Sequence, residues 1–163
     1  MALFGVIINE EKKTMMRIFT MFLSFFIALL QMIGISGNFT PTAEHYTDFE
    51  GVYITIESIE NGQNGKVINA MWHNESDVTV CFGKGYTIEY LNGESWEDVQ
   101  IVDFAIPEIA CILDGGQTAT ESYRTQYFNM LRPGTYRIKT EFWIQDDFVL
   151  AEQTTYAIFE VDY

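Results

Sequence analysis

Residues 131–143, LRPGTYRIKTEFW, place a Pro-Gly pair directly before a run in which every second residue is apolar or aromatic. Pro133 fixes φ near the value of the second residue of a type II turn, and Gly134 tolerates the positive φ of the third. We therefore expect the chain to reverse here. Beyond the turn, alternation predicts a strand with one buried face: Tyr136, Ile138, Thr140 and Phe142. The ring of Tyr136 is expected to be buried, with its hydroxyl bonded to the backbone upstream.

The same period of two recurs in other segments beyond residue 50. It predicts three further inward faces: Val52, Ile54 and Ile56; Ile68, Ala70 and Trp72; and Ala157, Phe159 and Val161. The first two segments flank the loop NGQNG and are expected to be adjacent antiparallel strands. Asn92-Gly93 predicts a hairpin whose type I′ turn has positive φ at both residues. One more strand is expected over 118–128, and 103–116 is less regular.

About seven short strands and no convincing amphipathic helix after residue 50 predict an all-β fold, an antiparallel β-sandwich. With 15% aromatic residues the chain can build a large core. The polar segment 37–50 shows no apolar period and is interpreted as a linker. The folded domain is therefore predicted over 51–163.

Residues 18–35 carry no charge and follow Lys12, Lys13 and Arg17, the layout of a membrane-targeting segment. A hydrophobic helix is expected here. The unbroken apolar part is shorter than the roughly 20 residues of a spanning helix, so a signal peptide over 1–36, cleaved after Ser36, is favoured over a retained signal anchor. Export places the domain outside the cell or on the outer face of the membrane.

The exported part is strongly acidic. The chain has net charge −14, and residues 1–36 hold three cations and two carboxylates, so removing their net +1 leaves −15. Such a charge repels a phosphate backbone, and it disfavours nucleic acid and anionic lipid as partners. Solubility is the favoured explanation of the acidity, ahead of an acidic binding patch.

Two cysteines, Cys81 and Cys111, lie in the exported part. An oxidising compartment permits a disulfide between them, and two unpaired thiols in neighbouring strands fit the sequence equally well.

The sequence argues against catalysis. Only His73 lies within the predicted domain, and it is interpreted as a solvent-facing loop residue; His45 falls in the predicted linker. We find no serine elbow, HExxH or phosphate loop, and we predict no catalytic residue, cofactor or metal. Asp146-Asp147 is interpreted as the polar tip of the last hairpin, with a calcium site as the alternative.

Trp143 shares the outward face of its predicted strand with Arg137 and Lys139. An outward aromatic ring often marks a contact surface, and the neighbouring Asp146 and Asp147 extend this candidate surface. The alternative is that the linker or the second sheet covers Trp143.

Five motifs carry a family resemblance: Trp72-His73-Asn74-x-Ser76, Gly83-x-x-Tyr86-x-Ile88-Glu89, Asn92-Gly93-x-x-Trp96-x-x-Val99, Leu131-x-Pro133-Gly134-x-Tyr136-Arg137-Ile138 and Phe159-Glu160-Val161. In this order they resemble the bacterial immunoglobulin-like domains of exported and membrane-anchored Gram-positive proteins. They are also similar to the intracellular proteinase inhibitors of bacilli. Antibody-type domains place a bridge cysteine where this chain has Ile138, so any disulfide here is of another kind.

The first resemblance implies a non-catalytic module that binds a protein or glycan, or acts as a spacer, at the cell surface. The second implies a proteinase inhibitor acting through loops such as 81–85 or 146–148. The sequence leaves open the partner, the oligomeric state, cleavage of the N-terminal segment and the true start codon.

Overall fold

The computed structural model describes residues 37–102, 105, 107, 109–145 and 150–162. These residues form ten strands: β1 Asn38–Thr47, β2 Val52–Gly62, β3 Gly65–Asn74, β4 Thr79–Phe82, β5 Thr87–Asn92, β6 Ser95–Asp98, β7 Cys111–Leu113, β8 Gln117–Arg124, β9 Gly134–Gln145 and β10 Leu150–Asp162. A short 3₁₀ helix, Thr125–Tyr127, follows β8. The expected N-terminal hydrophobic helix falls on residues 1–36, outside the described part.

The strands form two antiparallel sheets. The larger has the order β1-β10-β9-β4-β7, with β5 also beside β9 and β6 beside β5, and the smaller has the order β2-β3-β8. Along one edge of β9, β5 pairs with the N-terminal half and β4 with the C-terminal half, so β4 and β5 lie end to end. The predicted all-β antiparallel class is confirmed, with ten strands instead of about seven.

The core lies on the faces that alternation predicted. Every inward side chain predicted on β2, β3, β9 and β10 is buried. Trp72 is fully buried between the sheets, stacked on Phe82 with ring centroids 4.2 Å apart and edge-on to Phe142 at 6.0 Å. Its indole Nε1 donates a hydrogen bond to the Tyr123 hydroxyl at 3.2 Å, so this deeply buried polar atom is satisfied.

Two buried tyrosines clamp the backbone at the end of β8 and in the connection that leads to β9. The Tyr136 hydroxyl donates to the carbonyl of Arg132 and accepts from its N–H, each at 2.9 Å, as the sequence predicted. The Tyr86 hydroxyl does the same at Arg124, at 2.7 and 2.8 Å. Each hydroxyl therefore satisfies two backbone groups that no neighbouring strand pairs.

Both predicted turns differ in detail. Gly134 has φ of 146°, far from the value near 80° of a type II turn, and it begins β9. Glycine is needed there because a Cβ would lie 2.6 Å from Cε2 of Tyr90. In the β5–β6 hairpin Asn92 pairs with Ser95, so Gly93 and the residue after it form the turn. Only Gly93 has positive φ, 65°, which indicates a type II′ turn instead of type I′.

The linker predicted over 37–50 was wrong for most of its length. Residues 38–47 are β1, which pairs with β10 from Asn38 opposite Asp162 to Thr47 opposite Thr155. Most β1 side chains are exposed, so the strand is held mainly by its backbone and shows no apolar period. Its best-buried ring, Phe39, stacks on Phe159 with centroids 6.0 Å apart. The domain thus begins near Gly37, and Gly37–Tyr163 is one compact unit with its own core.

The sandwich has two distinct ends. The near end holds both Asn38 and Asp162, since they are paired. The far end is formed by the connections 48–51, 75–78 and 114–116, which contain five carboxylates and no lysine or arginine. There the buried Asn74 donates from Nδ2 to the carbonyls of Val78 and Leu113, at 2.8 and 3.0 Å, and ties the connection 75–78 to the end of β7.

Candidate functional site

The predicted contact surface is described only in part. Trp143 lies half-buried on the outer face of the larger sheet, opposite Cys81 of β4 and Glu152 of β10. This is the outward face on which alternation placed it. Asp146 and Asp147 lie outside the described residues, so the surface and the calcium alternative stay predictions.

The strand register separates the two cysteines. Cys81 lies opposite Ile112 and Cys111 opposite Phe82, one position apart along the β4–β7 ladder. Residues directly opposite share a face, so Cys111 points with Phe82 to the core while Cys81 points outward with Ile112. The structure has both as free thiols, and side chains on opposite faces of the sheet disfavour a disulfide between them.

A charged aromatic cluster covers the outer face of the larger sheet. The Arg137 guanidinium lies between the rings of Trp96 and Tyr156, 4.4 and 4.1 Å from their centroids. Its Nε donates to Glu89, whose side chain is only 9% exposed, and Lys139 Nζ lies 3.9 Å from the same carboxylate. The cluster joins β5, β6, β9 and β10, and its groups are engaged with one another.

The two histidines stack on opposite faces of one tyrosine. The ring of Tyr53 lies 4.4 Å from that of His45 in β1 and 4.7 Å from that of His73 in β3. His73 Nε2 is 2.9 Å from the Thr55 hydroxyl. The interpretation of His73 as a loop residue was wrong, because it belongs to a strand and its ring is packed. This row of rings fastens β1 to the smaller sheet.

An open cleft of about 220 Å³ lies beside the edge strand β8. It is bounded by residues 84–86 just before β5, by β8 and the 3₁₀ helix after it, and by described residues of the β6–β7 connection. The lining residues are Lys84, Tyr86, Ala105, Pro107, Ile109, Glu121, Ser122, Arg124 and Tyr127.

An ion pair forms the polar side of the cleft. Lys84 Nζ donates to Glu121, whose side chain is 11% exposed although β8 is an edge strand. This hydrogen bond raises the pKa of the Lys84 ammonium above its ordinary value. The other Glu121 oxygen accepts from the backbone N–H of Ser122 at 3.1 Å. Burial raises the pKa of the Tyr86 phenol to about 12, so that phenol is neutral at physiological pH.

A protein-family model matches residues 48–160, most of the chain; it describes a bacterial Ig-like domain. The chain belongs to this family. No curated protein matches this chain. Among solved structures, the Salmonella enterica trimeric lipoprotein SadB is similar at 10% identity and a TM-score of 0.30, covering 97% of this chain and 78% of that chain. At this TM-score the similarity supports no conclusion about the fold or the function of the Ig-like domain.

The described residues of the Ig-like domain contain neither a metal-binding cluster nor a membrane-spanning helix. Within its described residues no group of three or more His, Cys, Asp or Glu could hold a metal ion. In that same part of the chain no helix is long and apolar enough to cross a bilayer.

Of the two inhibitor loops proposed from the sequence, 81–85 is described by the structure. The stretch 81–85 is no protruding loop: Phe82 is buried in the core, and the carbonyl of Gly85 accepts a hydrogen bond from Thr140 at 2.9 Å. The other loop, 146–148, lies outside the described residues. Of the two loops named from the sequence, only 146–148 is left as a candidate for inhibition by this Ig-like domain.

The sequence alone did not predict the cleft of the Ig-like domain because its walls come from three separate stretches of chain. The residue pattern of β8 does indicate one unusual position in the wall of the cleft. Alternation in β8 places Ala119, Glu121 and Tyr123 on the inward face, and a carboxylate on an inward face needs a partner. That pattern identifies Glu121 as unusual, although it does not identify Lys84 as the partner.

Proposed function

We propose that this bacterial Ig-like domain is a non-catalytic module, secreted or displayed at the cell surface, that binds a protein or a glycan. The pairing of Asn38 with Asp162 supports binding over spacing. Chain that precedes or follows the domain joins it at the near end, whereas an in-line spacer carries its two connections at opposite ends. A domain attached by one end leaves the far end and both outer sheet faces open to a partner.

Family membership and the uncharged segment 18–35 support export. The rigid sandwich provides a scaffold on which loops and outer faces can carry a binding site. The charged far end, with its five carboxylates, favours partners that are not strongly anionic.

Export and binding are tested separately. Full-length protein is produced in a bacterial host, and intact cells are treated with protease before immunoblotting; export predicts loss of the domain without lysis. Intact mass of the recovered protein shows whether the chain is cut after Ser36. Protein that stays protected inside intact cells would contradict export.

Binding is measured with the fragment Gly37–Tyr163, which contains its own core. The fragment is titrated onto immobilised cell-wall glycan and onto immobilised surface proteins of the host. We expect saturable retention on one of these fractions and none on a fraction from cytoplasm. Equal retention on all fractions, or none at any concentration, would reject a specific binding module.

A further inference from the structure

We infer that the cleft beside β8 binds one pyranose ring of a glycan. This inference rests on the proposed binding function and names its site and ligand class. The cleft combines apolar walls with a few convergent polar groups, the usual make-up of a small-ligand site. Its volume of about 220 Å³ equals roughly seven water molecules at about 30 Å³ each, the scale of a single sugar ring.

An extended peptide is a poor occupant because three backbone groups of the strand edge beside the cleft are already hydrogen-bonded. Of the backbone groups on the open side of β8, the N–H and carbonyl of Arg124 are bonded to the Tyr86 hydroxyl. The N–H of Ser122 is bonded to the side chain of Glu121. A peptide adding as a further strand would need these groups, since main-chain hydrogen bonds supply the affinity in strand addition.

A simple ion is also a poor occupant. Lys84 and Glu121 neutralise each other, so neither presents an uncompensated charge to a ligand. Only the Arg124 side chain, which is exposed at the rim, adds a further charge among the residues that line the cleft. The lining therefore suits a neutral ligand with many hydroxyls, or one with a single carboxylate.

Sugar hydroxyls match this set of groups because each can both donate and accept. The Glu121 carboxylate can accept from one hydroxyl, while the Arg124 guanidinium can donate to a neighbouring one. Pro107 and Ile109 offer an apolar wall to the C–H face of the ring, and Tyr127 adds an aromatic surface. A pyranose ring presents both hydroxyls and an apolar C–H face, and this cleft holds charged groups and an apolar wall side by side to contact them.

The test is an NMR titration of ¹⁵N-labelled fragment Gly37–Tyr163 with glucose, galactose, N-acetylglucosamine and glucuronate at millimolar concentrations. We expect at least one sugar to shift the amides of Ser122, Arg124 and Tyr127. We expect the variants Glu121→Gln and Arg124→Gln, the second at the rim, each to lower the affinity for the sugar about tenfold. A tenfold loss corresponds to one hydrogen bond to a charged group. Glu94→Gln, on the distant β5–β6 turn, leaves the affinity unchanged.

Because Glu121→Gln also disturbs the ion pair with Lys84, the rim variant keeps the test valid if the first variant unfolds. The inference is overturned if no sugar shifts these amides in the folded fragment, or if the shifts map to another face. Specific retention on host fractions without any sugar response would reject the pyranose site and leave the binding function standing. If neither specific retention nor a sugar response is observed, both the pyranose site and the binding function are rejected.

Discussion

Replacing Tyr136 by phenylalanine removes one oxygen from the core and leaves the ring in place. That oxygen makes two hydrogen bonds of 2.9 Å to the backbone of Arg132. At roughly 1 kcal/mol for each bond, the variant is expected to lose about 2 kcal/mol of unfolding free energy. The loss is a substantial fraction of the 5–15 kcal/mol typical of a domain. It is measured by urea unfolding of Gly37–Tyr163, followed by tryptophan fluorescence.

Tyr46→Phe is the matched control, because Tyr46 is 55% exposed. The control is expected to change the unfolding free energy by less than about 0.5 kcal/mol. The slope of free energy against urea should stay the same in both variants, since neither alters the surface exposed on unfolding. If Tyr136→Phe loses no more than Tyr46→Phe, the clamp on Arg132 does not stabilise the domain and this reasoning fails.

Three other properties follow from the core and the strand register. Trp72→Ala should cost about 4 kcal/mol, seen as a lower urea midpoint, because it empties a fully buried site stacked on Phe82. Burial raises the pKa of Tyr86 to about 12, so the folded state favours the protonated phenol. This preference contributes about 2–3 kcal/mol to the free energy of unfolding below about pH 10, and the contribution is lost towards pH 12. Urea midpoints between pH 8 and 12 should therefore fall less steeply in Tyr86→Phe, and equal slopes would refute the assignment. Alkylation of unfolded, unreduced protein should modify both Cys81 and Cys111, and intact mass showing neither modified would mean that they are bridged.

Alternation predicted the core because four strands each bury one face. The side chains of Ile54, Trp72, Ile138 and Phe159 are all buried where a period of two placed them. The pattern works on these strands since burial alternates with the side-chain direction. It fails for β1, whose exposed side chains leave no apolar period, so a backbone-paired strand was interpreted as a linker.

Features that depend on register could not be read from the sequence. Cys81 and Cys111 were equally compatible with a bridge until pairing placed them on opposite faces. The stacking of Arg137 between Trp96 and Tyr156 joins residues that are far apart in the chain. No local pattern encodes such distances, because they arise only when four strands, β6, β5, β9 and β10, are aligned side by side.

The hydrogen bonds of Asn74 bear on how this protein is best produced. The sequence Asn74-Glu75-Ser76 matches the acceptor of N-linked glycosylation, a modification of eukaryotic secretory pathways. Both hydrogens on its side-chain nitrogen are already donated, to Val78 and Leu113, and the residue is 1% exposed. A glycan attached during synthesis would take the place of one of these hydrogens and hold the connection 75–78 apart from the end of β7. In yeast or mammalian secretion, oligosaccharide transfer would therefore compete with folding, whereas a bacterial host leaves this amide unmodified.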